Sequence, residues 1–184
     1  STIYDIGPFG QRDILWKTNP DTGNDGDGGW NKTITAIPGA NDAYLSISYV
    51  KRTSSTTNGT FYHGCDGGNT LNIGGTANTN PYFIATAISN LPYNVWCVSI
   101  GVIQANNDSN TVSSSLGGIY NMETGEKVIS NTTFKMKAAS TQQIHRTFLH
   151  YSTDLTSILY LAKPGFYTVD GTEPSLSELT GGAA

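Results

Sequence analysis

The sequence has few charged residues and few cysteines. Charged side chains make up 13% of the 184 residues, about half the usual share, which excludes a coiled coil or a helical bundle. Acidic residues outnumber basic ones, 14 to 10, and this balance disfavours nucleic acid as a partner because phosphate binding needs a basic surface. Cys65 and Cys97 are too few for a disulfide scaffold or a structural zinc site, and they form either one bridge or two unpaired thiols.

Long apolar runs are also missing. Residues 67–107 carry no charge, but Pro81, Pro92 and several asparagines interrupt every apolar run well short of the roughly 18 residues that a membrane helix needs. We therefore expect no membrane insertion. The chain begins at Ser1 without a methionine, so we expect a processed product or a fragment of a longer protein.

Tyrosine, glycine and β-branched residues are abundant, and apolar residues recur with a period of two. Long strands are predicted at 43–52, 93–104, 144–152 and 158–169, and shorter ones at 14–17, 32–37, 60–63, 118–121, 126–129 and 133–137. Pro164-Gly165 predicts a bulge in the last strand, and Gly125 a hairpin turn at positive φ. Residues 173–179, with Pro174 near the start, predict one short helical turn.

These elements predict an all-β fold in which residues 1–184 form a single domain. Many short strands with little helix favour an antiparallel β-sandwich of the jelly-roll type, with one short C-terminal helical turn. Two such layers are expected to close over an apolar interior, leaving tyrosines and amides outside.

The acidic segment 21–29 allows two interpretations. Calcium prefers several oxygen ligands from a flexible, glycine-rich loop, and Asp21, Asn24, Asp25 and Asp27 could supply them. Short acidic turns are also common as solvated loops that bind no metal. The sequence has no phosphate-binding loop and no nucleophile elbow, so no cofactor other than this structural Ca²⁺ is predicted.

Two segments contain residues suited to binding or chemistry. In 62–66 a histidine lies near a thiol and a carboxylate, which suggests either nucleophilic catalysis or a surface binding residue. In 144–151, alternation places Arg146, Phe148 and His150 on one face, and His145, Thr147, Leu149 and Tyr151 on the other. Aromatic rings with polar groups beside them suit a sugar; alternatively, Phe148 belongs to the core and the two polar residues lie at the strand ends. The predicted carbohydrate-binding residues are Trp30, Arg52, Tyr62, His63, Asp66, Arg146, Phe148 and His150.

Most of the chain resembles the terminal domains of bacteriophage tail fibre and tailspike proteins. The segments that carry this resemblance are 27–31, 50–53, 80–83, 118–127, 143–154, 161–166 and 169–179. The resemblance implies a jelly-roll-like sandwich at the C-terminal part of a longer, trimeric fibre in the virion. It also implies that the domain binds host cell-surface polysaccharide without catalysis, or else serves only as a structural module that trimerises or caps the fibre.

A second resemblance points to an enzyme. Gln143-Ile144-His145, followed downstream by residues 160–167, is similar to parts of the jelly-roll alginate lyases. That similarity implies a polysaccharide lyase in which Gln143 neutralises charge, His145 is the base and Tyr167 is the acid. The Arg-x-Glu strand of that family is missing here, so the phage resemblance is preferred.

Overall fold

A computed structural model describes residues 1–55 and 58–184, and β-strands dominate it. The strands in chain order are β1 (Thr2–Ile6), β2 (Arg12–Lys17), β3 (Gly26–Ile34), β4 (Tyr44–Arg52), β5 (Thr60–Gly64), β6 (Thr70–Asn72), β7 (Tyr82–Ala87), β8 (Trp96–Gln104), β9 (Gly118–Asn121), β10 (Lys127–Ser130), β11 (Phe134–Met136), β12 (Gln143–His150) and β13 (Leu159–Thr168). A 3-10 turn spans Ile88–Asn90, and a four-residue helix, α1, spans Leu176–Leu179.

The strands form two sheets, and their order is that of a jelly roll. Sheet A contains the order β1-β2-β13-β4-β8, with β11 and β6 continuing from β8 and with β9 and β10 attached to β8 as a hairpin; sheet B has the order β3-β12-β5-β7. The pairs β2·β13, β3·β12, β4·β8 and β5·β7 are nested in sequence and alternate between the sheets. This nesting is the jelly-roll arrangement. Among the described residues the pair β8·β11 is parallel, and the other strand pairs are antiparallel.

The centre of the space between the sheets is polar. His63 of β5 is 0% exposed, and its ring nitrogens lie 2.9 Å from the Oγ atoms of Ser46 on β4 and Ser99 on β8. The expected apolar interior is therefore interrupted at its middle by a polar cluster. Apolar clusters lie at either end of this layer, one around Phe61 and Leu149 and the other around Tyr44 and Phe83.

Because the serines of β4 face sheet B, the apolar residues of β4 point to the outer side of sheet A. There Leu45, Ile47 and Tyr49 pack with Val98 and with Leu179 of α1 in one buried cluster. The Tyr49 hydroxyl donates to the Leu179 carbonyl at 2.9 Å. Ser175 caps α1 in a capping box with Glu178, which fixes the helix over this face. The C-terminal segment thus forms a third layer.

The long predicted strands are confirmed with small shifts at their ends. The predicted bulge near Pro164 is confirmed by a register shift between Ala162 and Gly165, and the predicted turn at Gly125 by its φ of 74°. The strand predicted at 32–37 is instead Gly26–Ile34, since pairing with β12 overrides the turn-like Gly-Asp-Gly-Gly sequence. Short strands β1, β6 and β7 were not predicted.

Both cysteines are buried and free, which decides between the two alternatives for Cys65 and Cys97. Burial raises the pKa of each thiol to about 12, so both are protonated at neutral pH. Within the described ranges, no helix has the length and apolar character needed to cross a membrane.

The third layer gives a testable prediction for stability. Leu179 is 4% exposed in the outer cluster of sheet A, whereas Leu155 is 61% exposed in a loop. We expect Leu179→Ala to lower the free energy of unfolding by about 2–4 kcal/mol because it leaves a cavity, and Leu155→Ala to change it by less than about 0.5 kcal/mol. Urea unfolding followed by tryptophan fluorescence measures both. Equal losses in the two variants would contradict the assignment of the C-terminal segment as a structural layer.

Candidate functional site

Strand β12 divides the candidate residues between the two faces of sheet B. Its burial alternates strictly, with Gln143, His145, Thr147 and Leu149 buried and the residues between them partly exposed. The strand pairs with β3 on one side and β5 on the other. Because directly paired residues point to the same face of a sheet, the inward and outward positions of β12 also define those of β3 and β5. The predicted outward set of Arg146, Phe148 and His150 is present on the outer face.

The outer face of sheet B carries a cluster of partly exposed rings, which we name the aromatic patch: Tyr62, Tyr82, Arg146, Phe148, His150 and Tyr151. The Tyr62 ring is at its centre, with centroids 4.7 Å from Tyr82, 5.4 Å from Phe148 and 5.9 Å from His150. Phe148 and His150 are themselves 4.7 Å apart. Rings at these distances support one another and form one continuous surface.

Arg146 is held in place at one end of the patch. Its guanidinium carbon lies 4.2 Å from the Tyr82 ring centroid, and Nη2 donates to the Pro81 carbonyl at 3.0 Å. A fixed cation of this kind loses little conformational entropy when it binds an anion or a hydroxyl. Burial, with smaller contributions from Tyr151 and Tyr82, raises the pKa of Tyr62, so its hydroxyl is neutral at physiological pH.

Glycines in β3 leave a shallow depression of about 460 Å³ beside these rings. Gly29 lies opposite Phe148 and Gly26 opposite His150. A Cβ on Gly29 would lie 2.4 Å from the Phe148 Cβ, and one on Gly26 would lie 3.1 Å from the His150 Nε2. The absence of a side chain at Gly29 allows β3 to approach the backbone of β12, and its absence at Gly26 leaves space beside the His150 ring.

Tyr151 was predicted to lie on the same face as His145, and this prediction is wrong. Strand β12 ends at His150, and Tyr151 adopts a left-handed φ of 63°. This turn brings its ring to 5.2 Å from His150 and 6.3 Å from Tyr62. Tyr151 therefore belongs to the patch, as does Tyr82, which the sequence did not single out because the β5·β7 pairing is not visible in it.

The other predicted carbohydrate-binding residues lie elsewhere. Trp30 points between the sheets and His63 is enclosed there, so neither ring belongs to the patch. Arg52 is on sheet A, with its guanidinium over the Tyr93 ring at 5.7 Å. Asp66 is 6% exposed, and its carboxylate accepts from the Gly68 amide at 2.7 Å and the Asn69 side chain at 2.6 Å, which indicates a structural turn.

His145 is fixed between the sheets as a neutral imidazole. Trp30 Nε1 donates to its Nδ1 at 2.9 Å, so Nε2 carries the proton and donates to the Ile47 carbonyl at 2.7 Å. Burial lowers its pKa to about 4. Burial and the nearby His145, 5.3 Å away between ring centroids, also lower the pKa of His63 well below its ordinary value.

The three residues of the lyase alternative do not converge. Gln143 is fully buried and hydrogen-bonded to Thr70, and both ring nitrogens of His145 are occupied. Tyr167 pairs with Leu45, so it lies on the outer side of sheet A, opposite to His145. No single substrate could touch all three in this arrangement.

The acidic segment 21–29 is divided by the fold. Asp27 lies in β3 and is 3% exposed, and its carboxylate accepts from the Ser152 amide at 2.9 Å. Burial raises its pKa. Asp21 remains in the loop and accepts from the Gly23 amide. In the residues the structure describes, no group of three or more histidine, cysteine, aspartate or glutamate side chains is placed to hold a metal ion.

Comparison with known proteins adds no family: no family model, curated protein or solved structure matches the chain. What the aromatic patch can bind therefore follows from the contacts and exposure of its own residues.

The two buried histidines predict acid sensitivity. Above about pH 6.5 they are neutral in both states; below it the unfolded chain binds protons that the folded chain excludes, so the free energy of unfolding decreases as the pH falls. For His145, with a folded pKa of about 4, the full loss is about 3 kcal/mol, and His63 adds to it. Urea unfolding between about pH 7.5 and pH 4 measures the slope.

His145→Gln provides the matched comparison, because glutamine does not titrate. We expect this variant to be less stable at neutral pH but to lose less stability than the original chain on acidification. An identical pH dependence in the two proteins would show that His145 is not the group responsible.

Proposed function

We propose that this chain is a non-catalytic carbohydrate-binding domain and that the aromatic patch binds host cell-surface polysaccharide. The observation that carries the proposal is the cluster of rings left partly exposed on sheet B, whereas the apolar outer face of sheet A packs with α1 and with side chains such as Ile3, Leu116 and Met122. Within residues 1–55 and 58–184 these rings remain partly exposed, and a cluster of exposed apolar side chains is typical of a binding surface.

The patch contains the groups that sugar recognition needs. The faces of Phe148 and Tyr62 offer an apolar platform for the C–H face of a pyranose ring. Arg146 and His150 flank this platform and can contact hydroxyl or carboxylate groups of the same sugar. Tyrosine hydroxyls at the rim add hydrogen bonds at a low entropic cost. An open surface of this kind suits an extended polysaccharide rather than an enclosed monosaccharide.

We extend the proposal to the setting implied by the tail fibre resemblance. The domain would then be the receptor-binding part of a phage tail fibre or tailspike, present in the virion as a homotrimer. Three copies of a weak sugar site act together, and the effective concentration of the second and third sites raises the overall affinity. Asp27 is not included in the proposed site, because its side chain is buried.

A glycan array with the purified protein tests the proposal. We expect binding to a subset of polysaccharides, and we expect Phe148→Ala and Tyr62→Ala to weaken it by about tenfold or more, since central aromatic residues contribute most to such interfaces. Tyr93→Ala is the matched control, because Tyr93 is 54% exposed and lies beside Arg52 on sheet A. Its binding should be unchanged.

Two results would count against the proposal. Binding that survives both patch variants would show that the sugar lies elsewhere, and a trimeric protein that binds no glycan would favour a purely structural module. Incubation with alginate, followed by the absorbance of unsaturated product, tests the lyase alternative. We expect no unsaturated product. Product that forms with the original chain but not with Gln143→Ala would favour the lyase alternative over the proposed binding function.

A further inference from the structure

A second concave site lies on the other side of β12, between the open edges of the two sheets. It is a cavity of about 500 Å³, within the usual range for small-molecule sites. Strands β2 and β13 of sheet A form one wall, and β3 and β12 of sheet B form the other. The lining is mostly apolar and includes Ile14, Trp16, Trp30, Leu161, Pro164 and Phe166.

Two tryptophans give the cavity a rigid wall. The rings of Trp16 and Trp30 meet edge to face, with centroids 6.2 Å apart. Trp30 is fixed in turn by its hydrogen bond to His145, on which its ring stacks at 5.9 Å. The shape is therefore set before any ligand arrives, which lowers the entropic cost of binding.

The rim of the cavity is positively charged. Lys32 and Lys163 both line it. Lys163 is paired with Asp13 at 2.6 Å, whereas Lys32 makes no hydrogen bond or ion pair within residues 1–55 and 58–184. Lys32 follows Trp30 by two positions in β3, so both side chains are on the inward face of that strand. An unpaired ammonium group thus lies beside an aromatic wall.

An exposed apolar surface continues outward from this cavity. Ile14 is 67% exposed and lies directly opposite Tyr4, which is 64% exposed, in the β1·β2 hairpin. Exposed apolar side chains next to a pocket extend the area that an elongated ligand can cover. The combination of the apolar wall, the extension at Ile14 and Tyr4, and the unpaired ammonium group of Lys32 is complementary to a molecule with an apolar body and one acidic group.

We propose that this cavity binds a small, free amphipathic organic anion. Its apolar body packs against Trp16 and Trp30, and its acidic group pairs with Lys32. The site is separate from the aromatic patch, because His145 and Phe148 point to opposite faces of β12, and it does not depend on the proposed sugar binding.

Two fluorescent probes of similar shape test the proposal. Anilinonaphthalene sulfonate carries an acidic group, and N-phenylnaphthylamine lacks it. We expect saturable binding of about one sulfonate probe per chain, with energy transfer from tryptophan, and weaker binding of the neutral probe. Lys32→Met should lower the affinity for the sulfonate by about two- to fivefold, as expected for an exposed ion pair, and leave the neutral probe unaffected. Lys135→Met, on β11 of sheet A, is the control and should change neither.

Thr2→Trp tests the position of the site. Thr2 lines the cavity and is exposed, so a larger side chain there should block both probes without disturbing the core. Ile34→Trp fills the other wall and serves as a second blocking variant, with thermal melting to confirm that each is folded. Sulfonate binding that is unaffected in folded blocked variants would overturn the proposal. So would Lys32-dependent binding to phosphatidylglycerol vesicles without saturable probe binding, since this would indicate a membrane surface.

Discussion

Two neutral imidazoles joining the facing sheets are the interaction on which the rest of the molecule depends. His145 connects β12 to the backbone of β4, and His63 connects β5 to serines on β4 and β8. Because His145 must point inward to make these bonds, the residues next to it along β12 must point outward. A one-residue slip would bury Arg146 and expose His145, at the cost of unpaired polar groups in the interior. The polar layer therefore fixes the register that creates the aromatic patch.

The two outer faces of the sandwich have different roles for a physical reason. Sheet A presents Leu45, Ile47 and Val98 outward, and such a continuous aliphatic surface is unfavourable in water, so α1 and the residues around it cover it. Sheet B presents aromatic and cationic side chains, which tolerate partial hydration and interact with polar ligands. One outer face of the fold is therefore packed against the chain itself, whereas the other remains partly exposed.

Sequence reasoning worked where a pattern is local and failed where it depends on pairing. The alternation along 144–150 predicted which side chains share a face, and the structure has Arg146, Phe148 and His150 together as expected. Strand periodicity alone does not state which face is inward, so the serine side of β4 was not recognised as the interior side. His63 illustrates the same limit, since its burial depends on serines from two distant strands. Trp30 was predicted to bind sugar, but its ring lies between the sheets, where Nε1 donates to His145.

The position of β13 in the sheet has a consequence for how the chain reaches this state. This strand, near the end of the sequence, is inserted between β2 and β4, and α1 covers the sheet only after it. Sheet A therefore stays divided until β13 is available, and Tyr49 on its outer face lacks the contact with Leu179 until α1 has followed. Contacts of such long sequence separation slow folding. The strand edges that stay exposed in the incompletely folded chain favour aggregation. Joining β2 to β4 through a strand so distant in sequence is thus the step at which folding and aggregation compete.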